Sequence, residues 1–225
     1  MPHEGLSMNQ MQDGQLLAEQ AQEALWDALR NGTLRDGQFL SMSQLVEILE
    51  FPLAATREAV KQACSQGLLT TWPKRGVQVM EARSETIRDC LDFRMVLDQE
   101  GARRRIQQGD LTGLDALRAQ HETLRDAAAN NTASDLPPQA IGIDLSLHDY
   151  LAAGLNNPQL AAAYSANRMR IAIIQNVRPF LQVRIVSAME EHLVIIEALQ
   201  SGDTTAATDA IRHHCEQTLQ WWGVD

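Results

Sequence analysis

The chain has 225 residues, 44% of them hydrophobic, which is enough apolar side chain for one large domain or two ordinary ones and excludes a disordered chain. Nineteen Lys and Arg stand against 29 Asp and Glu, a formal net charge of −10, so coating of nucleic acid by bulk positive charge is excluded and any DNA contact must be local. Three widely spaced cysteines, Cys64, Cys90 and Cys215, suit reduced thiols, apolar runs fall short of the roughly 20 residues of a membrane span, and the polar start lacks a signal-peptide core; a soluble, cytoplasmic protein with no membrane partner is expected.

Leu17, Ala21, Ala24, Leu25, Ala28 and Leu29 recur at helical spacing from about Leu16 and predict a first helix. It ends near Asn31-Gly32, where a left-handed cap forms easily. Ser41 or Ser43 caps a short second helix carrying Leu45, Ile48 and Leu49. Phe51-Pro52 breaks the chain, and a third helix runs through Ala55, Ala59, Val60 and Ala63 to Gly67. Leu68 to Trp72, a turn at Pro73-Lys74-Arg75-Gly76 and Val77 to Met80 predict a two-stranded wing. This order describes a winged helix-turn-helix over residues 1–80, whose third helix would enter a major groove. The bland alternative is a small helical domain with an ordinary hairpin. Residues 1–80 carry six Lys and Arg against nine Asp and Glu, but residues 51–76 carry Arg57, Lys61, Lys74 and Arg75 against Glu58 alone. Thr56, Arg57, Lys61, Lys74 and Arg75 are the candidate DNA contacts, chiefly to phosphates, which position a domain without specifying sequence.

Residues 81–85 form a brief connector. Residues 86–225 read as an all-α bundle of six helices near 84–108, 110–128, 138–154, 158–177, 180–201 and 203–222. Ser84 caps the first, Gly109-Asp110 separates the first pair, and Asn156-Asn157-Pro158 stops the third and opens the fourth. Pro179 precedes the fifth, and Gly202-Asp203 divides the last two. Ala127 to Ala140, rich in Asn, Ser, Asp and Pro, is the one loop-like stretch inside the bundle.

Three histidines of the bundle, His148, His192 and His214, fall on apolar stripes. Asp144 and His148 are four apart, on one helix face with Leu147, Leu151 and Leu155. His192 continues Ile185, Met189, Ile196 and Leu199; His214 continues Ala207, Ile211, Thr218 and Trp222, while His213 points elsewhere. Burying one carboxylate and three imidazoles without partners would cost several kcal/mol. A divalent transition metal is the economical partner: zinc first, with nickel, manganese or iron also suiting the donor set. For any single histidine a hydrogen-bonded core residue is the commoner explanation; four polar groups converging favour an ion. Arg94 lies on the buried stripe Ile87, Cys90, Leu97, Gly101 and is a candidate for binding a carboxylate effector through two parallel hydrogen bonds. An internal ion pair with Asp98 or Glu100 is the alternative. Arg168 and Arg170 are further candidate effector contacts.

These segments together resemble the GntR family of bacterial transcription regulators, in its FadR-type branch with an FCD effector domain. The resemblance spans nearly the whole chain. Leu29 to Leu40 is similar to the family's "sGxlxPGxxL" segment, and Thr56-Arg57-Glu58-Ala59-Val60, Gly67-Leu68-Leu69 and Pro73 to Val79 to its "VREAL", "eGLv" and "pxrGxxV" signatures. Arg94 to Asp98 is similar to "RxxLE", Asp144 to His148 to "DxxFH", Asn157-Pro158 to "gNp", Glu191-His192 to "EH", and Arg212-His213-His214 to "RxH". The resemblance implies Asp144, His148, His192 and His214 as metal ligands, a small organic acid as effector, and a homodimer reading near-palindromic operator DNA. Six bundle helices would place the chain in the VanR-like subgroup. Two positions depart from the family: Leu53 and Ser43 stand where it usually has Arg, removing two donors worth about 1–3 kcal/mol each if they contact bases well.

The expected function is therefore a DNA-binding transcriptional regulator, a repressor, controlled by a carboxylate at a metal site, and not an enzyme. The competing expectations are a metal-dependent hydrolase or lyase in a helical bundle, and a relative with lost or altered DNA binding that acts through protein contacts.

Overall fold

The structure is a computed structural model, and it describes residues 8–130, 136–178 and 180–224. Within these it divides into two compact units, one of residues 1–82 with 172–177 and one of residues 83–171 with 178–225. The loop expected over 127–140 falls partly, and Pro179 wholly, outside the described residues.

In the first unit α1 (Met8–Arg30) starts about eight residues before the apolar stripe that predicted it. Strand β1 (Phe39–Leu40) leads into α2 (Met42–Leu49) and α3 (Leu53–Ser65). Ser41 caps α2: its hydroxyl accepts from the Gln44 backbone N–H while the Gln44 side chain accepts from the Ser41 N–H, satisfying two otherwise orphaned donors. Glu50 closes that helix in the left-handed region. β2 (Leu69–Trp72) and β3 (Gly76–Val79) form the expected wing, but the sheet has a third strand, with order β1-β3-β2 and all pairs antiparallel. Two residues are too few for period-2 alternation to reveal β1. Gly76, at φ +96°, is required by it: a Cβ there would lie 2.3 Å from the Leu40 carbonyl oxygen. The core of the unit is Ala21, Leu25, Leu29, Leu45, Ala59, Ala63, Leu68 and Val77.

The second unit contains α4 (Ser84–Gln108), α5 (Leu114–Ala129), α6 (Leu136–Ala153), most of α7 (Pro158–Val177), α8 (Gln182–Ser201) and α9 (Thr204–Trp221). Among the described residues the bundle thus has six helices. α5 opens at Leu114 rather than at 110, because the Asp110 carboxylate accepts from the Thr112 N–H and Gly113 takes φ +83°. Leu147, Leu151, Ile195, Ile196, Leu199 and Ile211 build the main apolar cluster.

One helix crossing in this bundle sets the spacing of two buried polar side chains. A Cβ on Gly101 of α4 would sit 2.1 Å from the Leu151 carbonyl oxygen of α6, and a Cβ on Gly154 would sit 2.9 Å from the Gly101 oxygen. The two backbones therefore touch where only glycine fits. One turn back on each helix, Asp98 and His148 consequently meet at 2.7 Å.

Candidate metal centre

Three helices bring four donors to one point. Asp144 and His148 project from α6, His192 from α8 and His214 from α9, all buried, each offering an atom within 4.8 Å of the others. His192 Nε2 lies 3.2 Å from His214 Nε2 and 3.6 Å from Asp144 Oδ1. Two nitrogens each about 2.0–2.1 Å from one zinc-sized ion would be about 2.8–3.4 Å apart for octahedral to tetrahedral angles, which brackets the 3.2 Å between the two imidazoles.

The far nitrogen of each ring has a partner. His148 Nδ1 is 2.7 Å from Asp98 Oδ2 and His214 Nδ1 is 2.7 Å from Glu191 Oε2. Glu191, held ionised by Arg184, only accepts, so His214 Nδ1 carries the proton and its Nε2 is a bare lone pair directed inward; Asp98 in its ionised form does the same for His148. The buried His148 Nε2 has no hydrogen-bond partner among the described residues. This is the condition expected of a ligand rather than of a satisfied core histidine, and a carboxylate behind a ligating imidazole fixes its orientation and raises its basicity. His192 Nδ1 faces a fourth imidazole, His121 of α5, at 3.1 Å.

Burial sets the protonation states. It holds His148 and His192 well below the usual imidazole range, with the Arg94 charge adding to the effect on both and the neighbouring imidazoles adding to it on His192. Burial pushes the Asp98 carboxyl up to about 7, against the pull of Arg94. For Glu191 burial alone would raise the pKa, but hydrogen bonds from His214 and Arg184 together bring it below its ordinary value. Arg184 closes on Glu191 with both terminal nitrogens and its guanidinium sits 5.8 Å from the Trp221 ring.

The candidate effector arginines have different surroundings. Arg94 is 4% exposed and its Nε is 4.0 Å from Asp98 Oδ2, too long for a hydrogen bond. Arg168 is committed to Asp149, with contacts of 2.7 and 2.9 Å, while the Tyr164 hydroxyl donates to the same carboxylate at 2.8 Å. Arg170 is half-buried and draws down the Cys90 thiol, which burial pushes up. Glu100, the other carboxylate considered for Arg94, instead binds Arg103 and Arg104.

On the first unit, Arg57, Lys61, Lys74 and Arg75 are exposed. Lys61 pairs with Glu58 at 3.5 Å, and Arg75 lies 4.7 Å from the centroid of Phe39. Arg57, Lys61 and Lys74 line a groove of about 530 Å³ between α3 and the wing, together with Cys64, Thr71 and Trp72. Thr56 corrects the expectation: it is 0% exposed, and its hydroxyl donates toward the Phe51 and Pro52 carbonyls, so it secures the start of α3 and has no surface to offer DNA.

Three residues of the centre escaped the sequence reading. His121 sits on the buried stripe Leu114, Leu117, Leu124 and Ala128, the same signal that selected the other histidines. Asp98 and Glu191 appeared there only as an ion-pair partner and as part of a motif, because their role depends on interhelical distances that spacing along one helix does not carry.

A winged helix-turn-helix joined to a helical bundle is the architecture of a transcription regulator. Residues 89–217 match the model of the FCD domain, more than half of the chain, and the chain belongs to that family. No curated protein matches it. Among solved structures it is similar to Escherichia coli McbR/YncC, with 18% identity over 92% of this chain and 97% of that one at a TM-score of 0.74. It is also similar to a GntR transcriptional regulator from Rhodococcus sp. RHA1, with 20% identity over 92% and 98% and a TM-score of 0.73. Both share the fold along nearly their whole length. Among the described residues no helix is long and apolar enough to cross a membrane.

Proposed function

We propose that the protein is a dimeric, DNA-binding transcriptional regulator of the GntR type whose bundle holds a divalent metal, zinc foremost, and responds to a small carboxylate. The observation that carries this reading is the convergence of the bare Nε2 atoms of His148 and His214 with His192 Nε2 and Asp144, buried, in an FCD bundle that follows a winged unit. An ion bound by these four would supply a Lewis-acidic position for a carboxylate oxygen.

The surrounding charge fits such an anion. Asp98, Asp144 and Glu191 oppose Arg94 and Arg184, and a divalent ion would turn that net negative charge into one positive charge. Arg94 supplies a fork of donors on the same side of the bundle as Asp98 and His148. A carboxylate held by the ion and Arg94 would shift the protein between arrangements of two winged units only by as much as its affinity for them differs. Arg57, Lys61, Lys74 and Arg75 would supply the phosphate contacts of α3 and the wing.

The test is a mobility-shift titration of the metal-loaded protein on its own upstream DNA, with and without a panel of small carboxylates. A specific complex whose affinity changes with one of them is the expected result. No specific complex under any condition would overturn the DNA-binding reading and leave a protein acting through other contacts.

A further inference from the structure

His121 is 0% exposed and lies on α5, which contributes none of the four donors. Its Nδ1 is 2.8 Å from the Leu117 carbonyl oxygen one turn back, and its Nε2 is 3.1 Å from His192 Nδ1. The rings are tilted by 51° with centroids 5.2 Å apart, so the contact is edge to edge through nitrogen and not a stack.

Proton positions along this chain of rings are set from its two ends. A carbonyl oxygen only accepts, so His121 Nδ1 carries hydrogen, and a neutral imidazole has one N–H, so His121 Nε2 is an acceptor facing His192 Nδ1. His214 Nε2, whose ring directs its proton to Glu191, is likewise an acceptor and faces His192 Nε2 at 3.2 Å. His192 has one proton for the two. On Nε2 it bridges to His214, closes the site without an ion and leaves the lone pairs of His121 Nε2 and His192 Nδ1 facing each other at 3.1 Å. On Nδ1 it satisfies His121 and leaves the Nε2 lone pairs of His192 and His214 side by side, an arrangement that an ion would bridge.

We propose that His121 is a positioning residue of the centre, which competes with His214 for the single His192 proton and, by accepting it from Nδ1, stabilises the tautomer that leaves Nε2 free for an ion. His148 and His214 are oriented by carboxylates, which stabilise N–H donors strongly. His192 has no such carboxylate at Nδ1, and its orientation depends on a neutral ring whose own tautomer is set by the α5 backbone. The ion-accepting tautomer thereby has a partner built into the bundle, and α5 takes part in a site to which it gives no ligand. The consequence for an ion rests on the metal reading above, whereas the proton position is a property of the metal-free chain.

The test is a long-range proton–nitrogen spectrum of the metal-free protein labelled with ¹⁵N-histidine, at neutral pH. His121 and His192 both protonated at Nδ1 is the expected result; His192 protonated at Nε2 overturns the proposal whatever the protein does with zinc. In His121→Phe the His192 proton is expected to move to Nε2. Its zinc affinity, from competition with a chromogenic chelator, should fall about 10–100-fold, and His121→Gln, with an acceptor oxygen, should recover part of the loss. An unchanged tautomer and unchanged affinity in His121→Phe would also overturn it. The unmodified protein alone decides the tautomer should the variant fail to fold. Nδ1 protonation at both residues with no uptake of zinc would uphold the tautomer assignment and overturn the metal reading, so the two fail separately.

Discussion

At Arg94 a single buried guanidinium could either hold the centre together or receive an effector, and one substitution separates the two roles. Arg94→Met keeps the length and apolar stem but removes the fork, so it is expected to retain a full complement of metal while losing the thermal stabilisation that a carboxylate effector confers. That stabilisation grows with ligand concentration over Kd, about 2.7 kcal/mol at a hundredfold excess, and a thermal shift series reads it directly; an undiminished carboxylate response in the variant would contradict the role. The cysteines give a second residue-scale prediction. Burial pushes the Cys90 and Cys215 thiols up, whereas Cys64 is half-buried in the groove between α3 and the wing. The thiolate is the reactive form, so alkylation at neutral pH is expected to modify Cys64 quickly and the other two only on unfolding, and bound operator DNA to protect Cys64; mass spectrometry of the modified chain tests both. The four donors were legible at this scale because each occupies a stripe position where a hydrocarbon belongs. Thr56 misled because a hydroxyl next to Arg57 in a recognition helix looks like a phosphate contact, while its i−4 carbonyl captures it first.

Between elements, the crossing of α4 and α6 at Gly101 is the feature on which the centre's geometry depends. Gly101→Ala would drive a methyl into the Leu151 carbonyl, and overpacking of this kind costs about 1–3 kcal/mol or more. Thermal unfolding should shift downward by several degrees in a chain of this size, with weaker metal retention because Asp98 and His148 move apart; wild-type stability and metal content would contradict the crossing. For α3 and the wing, Arg57→Ala and Lys74→Ala are each expected to weaken DNA binding evenly across sequences and to flatten its dependence on log salt by about one unit, which a mobility-shift salt series measures. The helices were readable from period, but not every end was: α1 begins about eight residues before its stripe, Arg83 rather than Ser84 takes the N-cap position of α4 without a side-chain bond, and α5 starts late because of Asp110 and Gly113. What stayed hidden was pairing: the two-residue β1, and the carboxylates behind the imidazoles, are fixed by which helix or strand lies next to which. No periodicity along a single element encodes that.

For the whole molecule, the resemblance read from the sequence extended across both units, and the FCD match and the shared fold of regulators only 18–20% identical agree with it. A regulator that reads paired half-sites must present two winged units, so sedimentation at micromolar concentration is expected to show twice the mass of one chain, and a monomer would contradict the dimeric reading. The claim on which the rest depends is that the bundle holds an ion. Elemental analysis of protein purified without a metal-affinity tag, repeated on His192→Ala, tests it most directly. The predicted result is about one divalent metal per chain, falling sharply in the variant. Metal absent from the wild type, with no change in unfolding temperature on addition of zinc, nickel or manganese, would contradict it and reduce Asp144, His148, His192 and His214 to a buried polar network.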